Sequence, residues 1–200
     1  ETAVCLDQLA RGLEALKCYE KVLELDPRKT LAWLRKAHLL MEVGKLEEAL
    51  TSYQQASALA PDYLDAWFGR GRALAALGRW DDAGKAFNKV IALKKDHMDA
   101  WAHLGRVLCE TGKYEEALDH FDRAMKIGGE NNALILNKGV CYLRMKEGDP
   151  ALALFDHVIK EDEANTEAWL NKGAALELLG KRDEALACYD HVVQIDEGNV

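Results

Sequence analysis

An all-α fold of stacked helix pairs is predicted by two features of this sequence. Trp33, Trp67, Trp101 and Trp169 fall on one lattice of 34 residues, interrupted only by Ile135. Around that lattice a longer pattern repeats: Trp67, Gly71, Leu74, Gly78, Ala83 and Phe87 return one period later as Trp101, Gly105, Leu108, Gly112, Ala117 and Phe121. An ordinary globular core imposes no such spacing, so the chain reads as a repeat array.

Each unit contains two amphipathic helices. Trp169, Gly173 and Leu176 lie at helical spacing in the first, and Ala185, Tyr189 and Val192 in the second. One turn after the large residue of the first helix comes a small one: Ala37, Gly71, Gly105, Gly139 and Gly173. Gly44, Gly78, Gly112 and Gly180 then end that helix with a left-handed cap. The second helix opens on acids, Glu47 with Glu48, Asp81 with Asp82, Glu115 with Glu116 and Asp183 with Glu184, which suit the positive end of its dipole. Ala15, Ala49, Ala83, Ala117, Ala151 and Ala185 recur within it. These small residues bring two axes close enough for Tyr53, Phe87, Phe121, Phe155 and Tyr189 to fill the space between them. Pro27 and Pro61 stop two of the second helices. A single pair cannot bury its apolar stripe alone, so neighbouring units must stack.

This combination of period, tryptophan, glycine, alanine and aromatic resembles the tetratricopeptide repeat over nearly the whole chain. The resemblance implies a right-handed superhelical solenoid: one array over residues 1–200, with a partial repeat at 1–29 and full repeats at 30–63, 64–97, 98–131, 132–165 and 166–199. The Trp-x-Asn-Lys-Gly run at Trp169–Gly173 is similar to repeats frequent in archaeal and bacterial members. The chain starts without methionine inside an expected first helix at Glu1–Leu9, and it stops just after a second helix. Leu186 and Val193 would then face a missing neighbour. A fragment of a longer protein is the expectation, with self-association through open ends as the alternative.

With 200 residues and 49% hydrophobic content the chain can bury a substantial core. It has no apolar run of membrane-spanning length and no signal peptide. Cys5, Cys18, Cys109, Cys141 and Cys188 lack the paired spacing of a zinc site and read as free thiols in a reducing, cytoplasmic setting. A net charge of −8 disfavours nucleic acid, and it separates the chain from the basic pentatricopeptide repeats that read RNA.

Catalysis is not expected. Asp156 beside His157 and Asp190 beside His191 point about 100° apart on a helix and form no oriented dyad. His157 and His191 are one repeat apart, too distant to share a metal ion. Nucleophile and phosphate-loop motifs are missing, and no cofactor is implied. The tryptophans read as core residues, for which Trp67→Ala would cost about 3–5 kcal/mol.

The resemblance implies a protein-interaction scaffold whose first helices line a concave groove and whose second helices form the convex side. Carried onto this sequence, the groove receives Arg35 and His38, then Arg72, His103 and Arg106, Asn137 and Arg144, and Asn171. Arginines suit carboxylates of an extended acidic segment, and the asparagines can hold peptide main chain. The alternative is that these are ordinary polar residues of a solvated face. Lys36, Arg70, Lys138 and Lys172 are expected to snorkel along the repeat edge. The chaperone-tail clamp of some family members does not fit, because Gly69 replaces an asparagine and Asp99 or Glu167 a lysine. Asn137 and Asn171 supply only two rungs of the asparagine ladder found in a sugar-transferring enzyme of the family. A regulatory or targeting arm of a larger enzyme is a further alternative.

The repeat at 132–165 departs most from the pattern. It has Ile135 for tryptophan, its turn glycine shifted to Gly148, Pro150 opening the second helix, and Gly128 with Gly129 before it. A local change of curvature is expected there. Gly84 is a second departure, costing about 1 kcal/mol against alanine within a helix.

Overall fold

The computed structural model describes residues 2–198, with side chains from Glu14 to Ile195. Among the described residues it consists of helices and turns: α1 (Thr2–Leu25), α2 (Thr30–Glu42), α3 (Leu46–Leu59), α4 (Leu64–Ala76), α5 (Trp80–Leu93), α6 (Met98–Glu110), α7 (Tyr114–Gly128), α8 (Asn132–Arg144), α9 (Gly148–Glu161), α10 (Thr166–Leu178) and α11 (Arg182–Gly198). The chain forms two compact units, residues 1–100 and 101–200.

In the first unit α2 packs on α3 and α4 on α5, while α3 also packs on α4 and α1 on α2. In the second, α8 packs on α9 and α10 on α11, with α7 against α8 and α9 against α10. This is the expected stacking of helix pairs. The first helices also touch each other directly, α2 with α4 and α8 with α10. Among the described residues the backbones of α3 and α5, of α7 and α9, and of α9 and α11 do not approach as closely, although side chains such as Met125 of α7 pack into the core around α9. Within each unit, successive first helices therefore approach one another more closely than successive second helices do.

The small-residue positions explain this close approach. Phe87, Phe121 and Phe155 are completely buried, each seated over the glycine of the preceding helix. A Cβ on Gly71 would lie 2.7 Å from Phe87 Cε1, and one on Gly105 would lie 2.8 Å from Phe121 Cε1. Gly139 meets Phe155, and Gly173 meets Tyr189, in the same way. Ala49, Ala83, Ala117 and Ala151 are fully buried. Gly44, Gly78, Gly112 and Gly180 adopt φ of 71–79° and close the turns as expected. The acidic pairs occupy the first turns of α3, α5, α7 and α11.

Three expectations are corrected. The turn residue of the 132–165 repeat is Lys146, at φ 62°, and not Gly148. Gly148 instead begins α9 and is buried, where a Cβ would lie 2.7 Å from Leu179 Cγ. The glycine serves contact between repeats, and the turn accepts a non-glycine residue in the left-handed region. Pro150 lies in the first turn of α9, where its absent N–H goes unmissed.

The second correction concerns the start of the chain. Of the first helix expected at Glu1–Leu9, Thr2–Leu9 is helical and Glu1 lies outside the described residues, but in place of the two helices per unit α1 continues unbroken from Thr2 to Leu25. Ala10 stands one period before Gly44, so the position that would cap the first helix carries no glycine.

The third concerns the lattice tryptophans Trp33, Trp67, Trp101 and Trp169, which are half-buried where core burial was expected. Trp33 Nε1 donates to the Pro27 carbonyl, Trp67 Nε1 to that of Pro61 and Trp169 Nε1 to that of Glu163, each at 2.9 Å. An indole carries a polar N–H that must find an acceptor, so the ring seals the seam between a loop and the next helix. Ile135, which has no such requirement, is buried.

Candidate functional site

Elements α2 and α4 bring the first group of predicted residues together. His38 and Arg72, with Met41, Glu42 and Tyr53, line a cleft of about 290 Å³ in the first unit. Arg35 lies one turn before His38 on the same helix. The exposed Arg35 and Arg72 make no hydrogen bond or ion pair among the described residues. Gly69 shapes the cleft, since the Tyr53 ring edge occupies the space that any side chain at 69 would need.

Burial lowers the His38 pKa from its usual value, and the nearby Arg35 and Arg72 guanidinium groups lower it further. Asp65 and Glu42 oppose that shift. Burial also pushes the Tyr53 phenol up to about 12, so it remains a proton donor at neutral pH. The His38 and Tyr53 rings pack at 5.6 Å between centroids. The cleft thus offers a guanidinium, a phenol and an imidazole beside the Met41 thioether.

The second unit carries the other predicted residues. Arg106 is exposed on α6 without an ion pair among the described residues, and His103 is half-buried one turn earlier. Asn137 on α8 and Asn171 on α10 are half-buried at equivalent positions of touching helices. Among the described residues neither amide makes a side-chain hydrogen bond. Arg144 differs from these, because its Nη2 donates to Glu110 Oε1 at 2.9 Å. Glu110 lies one full period earlier, so that pair was present in the sequence and was missed.

Other cations are also occupied. Lys36 pairs with Glu20 at 3.0 Å, Lys138 with Asp122 at 2.6 Å and Lys172 with Asp156 at 2.7 Å. The expected snorkelling lysines therefore end on acids sixteen residues earlier, on the preceding second helix. Gln54 stands at the corresponding place for Arg70. Arg70 lies over Trp67, 5.0 Å from the ring centroid, and its Nε is buried without a hydrogen-bond partner.

Cys18, Cys109, Cys141 and Cys188 are free thiols, and Cys5 lies outside the described side chains. Mutual contact holds Cys109 below the usual thiol range and pushes Cys141 above it. Among the described residues no group of three or more histidines, cysteines or carboxylates could hold a metal ion. Nor is any described helix long and apolar enough to cross a membrane.

Three family models, each for the tetratricopeptide repeat, match the chain: one at residues 34–96 and 77–132, another at 108–162 and a third at 166–199. Among curated proteins none matches. Solved structures do. YrrB, a TPR protein with an unusual peptide-binding site, is 25% identical with a TM-score of 0.66, over 88% of this chain and 91% of its own. MamA is 21% identical at a TM-score of 0.70, over 84% and 92%. A tetratricopeptide repeat protein from Parabacteroides merdae ATCC 43184 is 17% identical at a TM-score of 0.86, over 97% and 77%.

Proposed function

The chain belongs to the tetratricopeptide repeat family, and on that premise we propose that it is a protein-interaction scaffold whose first helices take up an extended, partly acidic segment of a partner. The observation that carries this reading is the cleft around Arg72. Two exposed arginines without counter-ions flank it, on a chain whose neighbouring cations Lys36, Lys45 and Arg79 are paired to acids. A carboxylate entering the cleft would meet the Arg72 guanidinium, with the Tyr53 phenol and His38 beside it. Glu42 on the rim disfavours a second acid there and leaves room for main chain or a cation. In the second unit, Arg106 would take another acid, and His103, Asn137 and Asn171 would hold peptide groups. Arg144 is given the narrower role of fixing Glu110. YrrB, the solved structure with a peptide-binding site, supports a peptide ligand for this chain as well. The free thiols fit a reducing, cytoplasmic setting.

Selection from a displayed library of random peptides tests this. Sequences enriched by the wild-type protein should be rich in Asp and Glu, and an Arg35→Glu, Arg72→Glu, Arg106→Glu variant of unchanged helicity should lose them. Enrichment of the same peptides by both proteins would refute the groove assignment.

A second reading has its own observation. Leu186 and Val193 on α11 are 59% and 54% exposed, which supports association of the chain through that face. Sedimentation equilibrium would show a dimer that Leu186→Glu, Val193→Glu dissolves.

A further inference from the structure

The one full repeat without a tryptophan at the lattice position has the surroundings of one. In the 166–199 repeat, Trp169 sits between Lys172, whose ammonium lies 5.1 Å from the ring centroid, and His191, whose ring lies 4.3 Å away. Lys172 is held in place by Asp156. In the 98–131 repeat, Trp101 meets Arg123 at 5.8 Å, the residue equivalent to His191, and packs against His120 at 5.2 Å. The same lattice positions in the 132–165 repeat are Lys138, His157 and Leu154. Lys138 is likewise fixed, by Asp122 at 2.6 Å. At the position of the indole stands Ile135, smaller and buried.

Space remains in front of that isoleucine. A cavity of about 310 Å³ opens there, lined by Met125, Glu130, Ile135, Lys138, Leu154 and His157. Its walls thus include each of the residues equivalent to those that hold an indole elsewhere in the chain. One feature is altered. The 163–164 turn that supplies a carbonyl to Trp169 is replaced by a connection in which α7 runs on to Gly128 and Gly129 takes φ 84°. Glu130 also lines this cavity, and a carboxylate can accept a hydrogen bond from an indole N–H.

We propose that this slot between α8 and α9 is a binding site for a tryptophan side chain presented by a partner polypeptide. The indole lies on Ile135 and Leu154, with Met125 sulfur at its edge. Lys138 and His157 flank its face as Lys172 and His191 flank Trp169, and its N–H donates to Glu130. The volume is at the lower end of small-ligand pockets, about 300–1,000 Å³, which suits one aromatic side chain. A polypeptide is favoured over a free small molecule because the slot is open and shallow. Its occupant needs attachment beyond the ring to offset the loss of its freedom on binding. The site lies on the seam between first and second helices and is separate from the groove reading, on which it does not depend.

Methyl-selective NMR of Ile135, Leu154 and Met125 provides the test, with three probes: free indole, N-acetyl-tryptophanamide, and a ten-residue peptide carrying one tryptophan. The tryptophan peptide should shift those methyls and bind at least tenfold more tightly than indole, and its Trp→Leu version should leave them unmoved. Ile135→Trp, which fills the slot from within, should abolish the shifts at Leu154 and Met125. Should that variant misfold, His157→Ala should weaken the peptide at least threefold. The Arg35→Glu, Arg72→Glu variant should bind as wild type does, which separates this site from the groove. Absence of shifts with every probe, retention of binding in Ile135→Trp, or indole binding as tightly as the peptide would each overturn the proposal.

Discussion

Replacing Gly105 with alanine places a methyl group 2.8 Å from Phe121 Cε1, in a contact closer than carbon atoms tolerate. Phe121 is completely buried, so its ring cannot retreat into solvent. Overpacking of this kind costs about 1–3 kcal/mol, and the better helix propensity of alanine returns about 1 kcal/mol. The expected net loss is therefore about 0–2 kcal/mol for Gly105→Ala alone. Phe121→Ala alone, which empties the space between two helices, should cost about 3–5 kcal/mol. In the double variant the new methyl meets no ring, so the overpacking cost vanishes and the propensity gain survives. The pair should then fall short of the summed single losses by about 1–3 kcal/mol, the range found for residues in contact. Urea denaturation followed by circular dichroism measures all four proteins, with a constant slope required for the comparison. Additivity within about 0.3 kcal/mol would refute the view that ring and glycine form one packing unit.

Trp67→Ala should lower stability by about 2 kcal/mol, short of the loss for a buried aromatic, because the ring is half-buried and its N–H bond to Pro61 can be replaced by water; a loss above about 4 kcal/mol in denaturant titration would return the indole to the core. Lys146→Gly should stabilise by up to about 1 kcal/mol by relieving the left-handed backbone at φ 62°, and Gly112→Ala should destabilise by a similar amount; thermal midpoints moving the opposite way would contradict the turn assignment. The folded-state pKa of His38 lies below its usual 6.5, so the unfolded chain binds the proton more readily. Stability attributable to this group is intact above pH 6.5 and is lost as pH falls through the depressed folded value. His38→Gln should flatten the stability profile on that acidic side, and an unchanged slope there would reject the desolvated imidazole.

The helix pairs, the turn glycines and the alanine–aromatic core were legible because each rests on local periodicity repeated along the chain. Burial of the tryptophans was misread because an apolar stripe does not reveal where an indole N–H must find its acceptor. Lys146 was missed since the left-handed turn is usually marked by glycine, and Gly148 drew attention two residues away. The Lys36–Glu20, Lys138–Asp122 and Lys172–Asp156 pairs were present as a constant offset of sixteen residues, a signal for which only the lysine half was read. At the candidate site, Arg35, His38 and Arg72 could be placed on first helices from the periodicity, while their place in a groove came from the family resemblance. Tyr53 could not, because its entry into the cleft depends on the absence of a side chain at Gly69. Nor could the slot at Ile135, whose volume arises from the packing of α7, α8 and α9 together.

The central claim is that first helices receive an acidic segment beside Arg72. Amide chemical-shift mapping tests it most directly, using an acidic peptide taken from the display selection. The account predicts shifts concentrated in α2 and α4, around Arg35, His38 and Arg72, that diminish as salt is raised. Shifts confined to α3 and α5, or to the exposed face of α11, would contradict it.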